Sequence, residues 1–274
     1  MAQSWPINSR KKIRRQRTPW QIHRAVVYAL FLREMKTRFG SKRFGYFWAV
    51  LQPASMILAW WGMYALALRG GRSTGVDFPI FLLTGIVPYS LFRSILSSGM
   101  NAYRANRGLF NYRQVKPLDT LVARCLVECM ISLVVFVILG FLGRALGFDA
   151  AVQDLLGLCL SLLLLVWFSF GVGLVFSVFA VFFETFPNVV GFVLTPMFFI
   201  SGVIIPIQSI PERFHEILFY NPVLHLMELV RIHYFAHYES PNTSIYYIVC
   251  WILFPNCIGL WLYDRFEQRI VMSS

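Results

Sequence analysis

The side chains able to carry chemistry outside the apolar runs gather mostly in one segment, 206–243, which holds His215, Glu216, His225, Glu228, His233 and His237. His233 and His237 stand at the i, i+4 spacing that puts two imidazoles on one helical face, as a metal pair requires. No HExxH pattern or other carboxylate motif accompanies them, so the spacing makes no metal centre by itself. The nearest approach to a phosphate-binding loop, Gly40-Ser-Lys-Arg-Phe-Gly45, is followed by Tyr46 and lacks the lysine that reaches a nucleotide's phosphates. No GxSxG elbow, DxD motif or carboxylate-rich loop occurs. The residues therefore give no catalytic set, no metal site and no means of hydrolysing a nucleotide within this chain.

Ionisable residues inside apolar runs are the next candidates, because a charge in lipid is costly and is kept for a reason. Arg93 lies about 15 residues into such a run. Two readings stand for it: a functional cation, or a long side chain that snorkels to the membrane face. Arg124 and Glu128 are one helical turn apart and are expected to pair with each other. Glu184, just before Pro187, marks a boundary between runs.

A short basic stretch also interrupts the apolar runs, Arg104-Ala-Asn-Arg-Gly-Leu-Phe-Asn-Tyr-Arg-Gln-Val-Lys-Pro-Leu-Asp119. It must emerge at a membrane face, with Gly108 able to end one helix and Pro117 to begin the next. Arg104, Arg107, Arg113 and Lys116 are spaced by Leu109, Phe110, Tyr112 and Val115. The mixture suits a docking surface; the alternative is a set of inner-face topology markers with aromatics at the interface.

Composition sets the class of element that positions these residues. Hydrophobic residues make up 57% and charged residues 14% of 274, where a soluble domain carries roughly 25% charged. The sequence describes an all-α integral membrane protein. The net charge of +12 does not argue for nucleic acid, since 12 of the 25 Lys and Arg precede residue 46, beside the first apolar run, where anionic lipid accounts for them. The five cysteines lie in apolar runs without a CxxC pair and read as small buried hydrophobes.

A helix needs about 20 apolar residues to cross a bilayer. By that measure six transmembrane helices are expected, at 46–68, 78–103, 118–143, 155–183, 186–205 (broken by Pro196) and 244–263. The two organisational parts are 1–45, a basic tail and interface helix, and 46–274, the transmembrane domain. In the helical stretch 20–39, Tyr28, Phe31, Leu32, Met35 and Phe39 share one side, and Arg33, Glu34, Lys36, Thr37 and Arg38 take the other. This pattern predicts an amphipathic helix on the inner face with its charges available to lipid or a partner. Segment 206–243 predicts two short helices around an Asn221-Pro222 break, either an external re-entrant hairpin or a lid of surface helices. Nineteen Lys and Arg lie in the tail, in 104–124 and at the C-terminus, against five in the segments on the other side, which places both termini in the cytoplasm.

The runs Ala29-Leu-Phe-Leu-Arg-Glu-Met-Lys-Thr-Arg-Phe-Gly40, Gly45-Tyr-Phe-Trp-Ala-Val-Leu-Gln-Pro53 and Gly108-Leu-Phe-Asn-Tyr-Arg-Gln-Val-Lys-Pro-Leu-Asp119 closely resemble the membrane subunit of ABC-2 type polysaccharide exporters. The likeness is greatest to the permease of bacterial group 2 capsule export. It extends to Phe199-Ile-Ser-Gly-Val, Ser209-Ile-Pro211 and Asn221-Pro222; the basic tail is longer than the family pattern.

The resemblance implies a bacterial inner-membrane homodimer of six-helix subunits that exports a lipid-linked capsular polysaccharide. Each subunit would pair with a separate cytoplasmic ATPase, so that ATP and Mg bind on the partner and none in this chain. Periplasmic and outer-membrane export proteins are further partners of that type. On this resemblance Arg104, Arg107, Phe110, Asn111, Tyr112, Arg113 and Lys116 form the ATPase-coupling stretch, with Arg33, Glu34, Lys36 and Arg38 on the interface helix beside it. Trp60, Trp61, Tyr64, Phe198 and Phe199 would offer aromatic faces to sugar rings, and Arg93 would attract an anionic lipid terminus. Export of O-antigen, teichoic acid or another lipid-linked glycan is an alternative within the same topology. A membrane transferase acting on lipid-linked sugar is the reading from a different class; it would need an ordered acid, base or nucleophile cluster, which the histidines and glutamates of 206–243 do not form.

Overall fold

The computed structural model describes residues 18–40, 45–68, 77–110, 112, 114–238, 240 and 242–272. The basic tail before residue 18, Asn111 and Arg113 lie outside the described residues. In chain order the helices are α1 (Pro19–Gly40), α2 (Gly45–Leu68), α3 (Phe78–Met100), α4 (Ala102–Ala105), α5 (Pro117–Ala145), α6 (Leu155–Phe182), α7 (Phe186–Ile200), α8 (His215–Leu218), α9 (Pro222–Tyr234) and α10 (Ile245–Met272). Single 3-10 turns occupy Arg107–Leu109, Ile207–Ser209 and Glu212–Phe214, and the described residues form no strand.

Among the described residues five helices are long and apolar enough to cross a membrane, lying within α2, α3, α5, α6 and α10. Apolar α7 has 15 residues. At 1.5 Å per residue that is roughly 22 Å, short of the ~30 Å hydrocarbon core. The sequence predicts a run to residue 205, but the helix stops at Ile200 because Gly202 adopts a left-handed φ of +68° and turns the chain. Pro196 is accommodated inside α7 rather than breaking it, as are Pro53 in α2 and Pro255 in α10.

α3 is the centre of the bundle, with 78% of its most apolar window buried, whereas the corresponding window of α2 has none. It packs against α5, α6 and α9, and its residues Leu82, Ile86, Tyr89, Phe92 and Leu96 join Leu165, Phe168, Leu226 and Ile252 in the main core. α6 closes the other side by lying along α10. The outward faces of α5, α6 and α10 are lined by large apolar side chains such as Phe141, Leu156 and Trp261, a surface suited to lipid or another subunit. Cys159, Cys250 and Cys257 are also exposed on α6 and α10, so only Cys125 is the fully buried hydrophobe that the sequence predicts.

α1 lies against α5 with a mixed face rather than the purely apolar one that the sequence pattern suggests: Phe31 and Met35 are half-buried, and so is Glu34. Leu30 is buried while Tyr28 and Leu32 are exposed, and Glu34 turns inward to face α5. The reason is electrostatic: α5 carries Arg124 and Glu128 on its facing side, and charged partners from α1 offset their burial. Arg33 and Lys36 remain exposed.

The 206–243 segment forms the two short helical pieces expected around Asn221, whose side chain accepts from the Val223 amide at 3.0 Å and caps α9. α9 is no surface lid. Every residue from Val223 to Arg231 is buried, and the helix packs between α3, α6 and α10.

Candidate functional site

At the end of the bundle that holds α1, α4 and the C-terminal part of α10, a charge lattice joins three elements. Glu34 Oε1 accepts from Arg124 Nε at 3.2 Å and from Asn106 Nδ2 at 3.3 Å. One turn further along both helices, Arg38 pairs with Glu128. Arg124 and Glu128 therefore bond across to α1 rather than to each other, a correction to the pairing expected from their spacing. Arg124 also donates to the Ser98 carbonyl at 2.9 Å, so α3 is tied into the same lattice. At the start of α5, Asp119 accepts from the Lys116 amide at 3.0 Å and meets His23 of α1 at 2.9 Å.

The loop between α3 and α5 has an inside and an outside. Phe110 is buried with Tyr103, Leu121, Leu174, Val178, Tyr263 and Ile270, so it anchors the loop to the protein's own core. That corrects the expectation of Phe110 as an outward anchor: five apolar neighbours from α5, α6 and α10 offer it a dry pocket close by. Tyr112 is the exposed aromatic at 66%, and Arg107 and Lys116 are exposed beside it. Arg104 is half-buried; it donates to the Ala180 carbonyl at 3.2 Å and lies 3.9 Å from the Glu184 carboxylate.

Next to the lattice, α2, α3, α5 and α7 enclose an open cleft of about 700 Å3. One wall is aromatic, formed by Trp60, Phe198 and Phe199, with Trp60 and Phe199 edge to face at 6.0 Å. The opposing wall is polar: Ser90, Ser94, Ser97 and Asn101 recur at helical spacing along α3, with Gln52 and Thr195 at the sides. Arg93 stands on this wall and makes no ion pair among the described residues. Arg38 and Arg124 also line the cleft, but each faces a carboxylate, so Arg93 leaves the site with an uncompensated positive charge. The structure thus brings together four of the six path residues. Trp61 and Tyr64 are not among them: Trp61 meets Phe148 edge to face at 5.8 Å, and Tyr64 stacks on Phe78 at 4.0 Å, at the other end of the bundle. The serine ladder is absent from the sequence reading, although its i, i+4, i+7 spacing inside an apolar run was the signal available.

A family model described as ABC-2 type transporter matches residues 25–235, from within α1 to just past α9. The chain belongs to the ABC-2 type transporter family. Polysialic acid transport protein KpsM of Escherichia coli is similar to it at 37% identity, over 94% of this chain and 99% of that one. Capsule polysaccharide export inner-membrane protein CtrC of Neisseria meningitidis is 27% identical over 91% of this chain and 94% of its own length. O-antigen export system permease protein RfbA of Klebsiella pneumoniae is 26% identical over 86% and 90%. The resemblance read from the α1, α2 and α5 motifs holds along nearly the whole chain.

At the other end of this ABC-2 chain, α9 buries an ion pair. Glu228 and Arg231 are both at 0% exposure and 3.0 Å apart. Tyr238 bonds both carboxylate oxygens of Glu228, at 3.0 and 2.8 Å. Burial and the neighbouring Glu228 carboxylate push the Tyr238 hydroxyl well above the usual phenol range, which keeps it a donor. Sequence reasoning grouped Glu228 with the external acids and histidines and passed over Arg231; the signal was an acid and a base three residues apart in an otherwise apolar helix. His233 and His237 do not share a helical turn, because α9 ends at Tyr234, and His233 instead meets Asp154 at 3.1 Å. The Gly157 amide, and after it His233, hold the Asp154 carboxyl below the usual carboxylate range. His225 lies 2.8 Å from the Phe219 carbonyl, which fixes the proton on Nε2, and Nδ1 accepts from the Ser244 amide at 3.4 Å. Burial holds it below the usual imidazole range.

Proposed function

We propose that this chain is the membrane-spanning subunit of an ATP-binding-cassette transporter that exports a lipid-linked capsular polysaccharide across the bacterial inner membrane. The observation that carries the proposal is 37% identity to a polysialic acid transport protein over almost the full length of both chains. Two copies would form the path between them, each served by a separate cytoplasmic ATPase that binds ATP and Mg. In this reading α7, continued by the turn at 201–205, makes the sixth crossing. α1 is then the interface helix on the cytoplasmic side, both termini are cytoplasmic, and α8 and α9 form a hairpin entering from the outer face. Periplasmic and outer-membrane export proteins would receive the polymer.

The cleft supports the substrate class. Aromatic faces suit the CH faces of sugar rings, hydroxyls on the opposing wall suit exchangeable hydrogen bonds, and one uncompensated guanidinium favours an acidic group. A polymer in transit needs this combination because no single fixed contact holds it in place. Tyr112, Arg107 and Lys116 offer an exposed aromatic flanked by cations, which suits a groove with an acidic rim on an ATPase.

The test is affinity purification of the tagged chain from its native membrane, followed by identification of the attached ATPase and of the lipid-linked glycan. A capsular polymer is expected. An O-antigen or another glycan would move the chain to that substrate, and purification without any ATPase would overturn the transporter subunit itself.

A further inference from the structure

The buried pair in α9 is poorly accounted for by stability alone. Two charges taken out of water carry a desolvation penalty that their attraction only partly repays, and a well-packed apolar pair often does as well or better. What Arg231 touches gives another reason for it. Its Nη1 donates to Glu228 at 3.0 Å, and its Nη2 donates to the Val203 carbonyl at 3.1 Å. The guanidinium carbon lies 3.8 Å above the Phe81 ring, and Nε has no partner among the described residues. Val203 belongs to the turn that follows α7, directly after the left-handed Gly202. α3 makes room for the contact with a glycine: a Cβ at Gly85 would fall 2.6 Å from the Val203 oxygen and 2.8 Å from Nη2. One side chain thus joins α9, α3 and the end of α7.

One turn along α3 from Gly85, Tyr89 makes a second tie. Its hydroxyl donates to the Leu194 carbonyl of α7 at 2.5 Å, and its ring meets Phe198 at 5.2 Å. Phe198 and Phe199, part of the aromatic wall of the cleft, lie between these two attachments. The outward face of α7 is largely exposed, while Leu194, Phe198, Val203 and Ile204 pack in the main core and Asn221 donates to the Ser201 hydroxyl at 2.9 Å; the Arg231 and Tyr89 bonds add to that packing the directional contacts with α3 and α9 that set where the wall stands.

We propose that Arg231 is a positioning residue for the cleft, a latch that holds the far end of α7 against α3 and so keeps the outer end of the path closed when no polymer is engaged. This rests on the reading of the cleft as the export path. Tyr238 orients Glu228, Glu228 orients Arg231, and the Val203 carbonyl is the part that releases. Gly85 leaves the space in which Arg231 meets the Val203 carbonyl, and Gly202 supplies the left-handed turn just before that carbonyl.

The experiment uses the full chain with its ATPase in lipid nanodiscs, after replacing the five free cysteines and adding Ile204→Cys at the buried position next to Val203. A membrane-impermeant maleimide reports how open the outer end is, with no glycan present. The double substitution Glu228→Leu with Arg231→Met removes both charges together, so neither is left buried alone. It is expected to keep a normal unfolding temperature and to raise the labelling rate about tenfold, the shift expected on losing a hydrogen bond to a charged group. Arg231→Lys should fall between the double variant and the parent. Tyr238→Phe leaves both charges in place and should raise labelling about threefold, which keeps the test open if the double variant does not fold. A folded double variant that labels at the parent rate overturns the latch, as does unchanged labelling in Tyr238→Phe. Faster labelling with glycan export unchanged would instead keep the latch and remove the cleft from the export path.

Discussion

Glu34 of α1 and Arg124 of α5, ninety residues apart in the chain, meet at 3.2 Å, and the same glutamate oxygen takes a hydrogen bond from Asn106 in the loop between α3 and α5. Arg124 is itself a wall residue of the cleft. The loop, the helix beside it and the cleft are therefore connected through one carboxylate. A movement imposed on the loop has a short polar route to the cleft, and that route crosses α1.

The connection predicts coupling energy. Glu34 and Arg124 are 18% and 14% exposed, between a surface pair and a buried one. A double-mutant cycle with Glu34→Gln and Arg124→Gln should give a coupling of about 1–2 kcal/mol in thermal unfolding. Glu34→Gln should also lower the polymer exported per ATP hydrolysed, because the amide keeps a weaker form of the contact. Additive single effects would show that the pair is not coupled.

Phe110 and Tyr112 are two residues apart and should behave oppositely. Phe110→Ala opens a cavity in the cluster around Tyr103 and Tyr263 and should cost about 3–5 kcal/mol of stability, seen as a lowered unfolding temperature. Tyr112→Ala should leave stability within about 0.5 kcal/mol. Its expected effect is on ATPase binding, weakened at least tenfold in a pull-down titration. Normal ATPase affinity in Tyr112→Ala would remove this loop as the docking surface.

The helical class, the extents of α2, α5 and α6 and the Asn221 break were legible because apolar length and turn residues act locally. The faces of those helices were less so. Phe110 and Tyr112 look alike in sequence, and only the arrival of Tyr263 and Ile270 from α10 decides which one is buried. Arg124 and Glu128 invited pairing with each other because the residues opposite them come from α1, ninety residues away. Trp60 and Trp61 are neighbours, yet about 100° of helical rotation sends one to the cleft and the other to Phe148. Contacts distant in sequence decided each of these cases.

The histidine in the hairpin gives a pH dependence with a definite sign. His225 is held below its ordinary value by burial, so the folded protein resists taking up a proton that the unfolded chain accepts. Its contribution is fully present above about pH 6.5, the unfolded value, and is lost as pH falls below it towards the folded value. The unfolding temperature should therefore drop between pH 7.5 and pH 5.5. His225→Gln keeps a donor for the Phe219 carbonyl and should lose most of that slope. An equal slope in the variant would assign the dependence to another group.

The cleft separates residues that the sequence grouped together, and that separation can be measured. Trp60 and Phe199 form the aromatic wall, while Trp61 and Tyr64 pack against Phe148 and Phe78 away from it. If sugar rings slide along the wall, Trp60→Ala and Phe199→Ala should each slow export several-fold. Each stacked ring is worth roughly 1 kcal/mol beyond its buried area, or about a factor of five. Trp61→Ala should act through stability alone. Arg93 adds a charge criterion, since it lacks a carboxylate partner among the described residues and stands beside the serine ladder on α3. Arg93→Ala should slow an acidic polymer or an anionic lipid terminus while ATP hydrolysis continues, and Arg93→Lys should recover most of the rate because the contact is electrostatic. Photocrosslinking from positions 60, 93 and 199 during transport should label the glycan, with position 61 unlabelled. Glycan labelled from position 61 but from none of the other three would move the path out of this cleft, to the far side of α2.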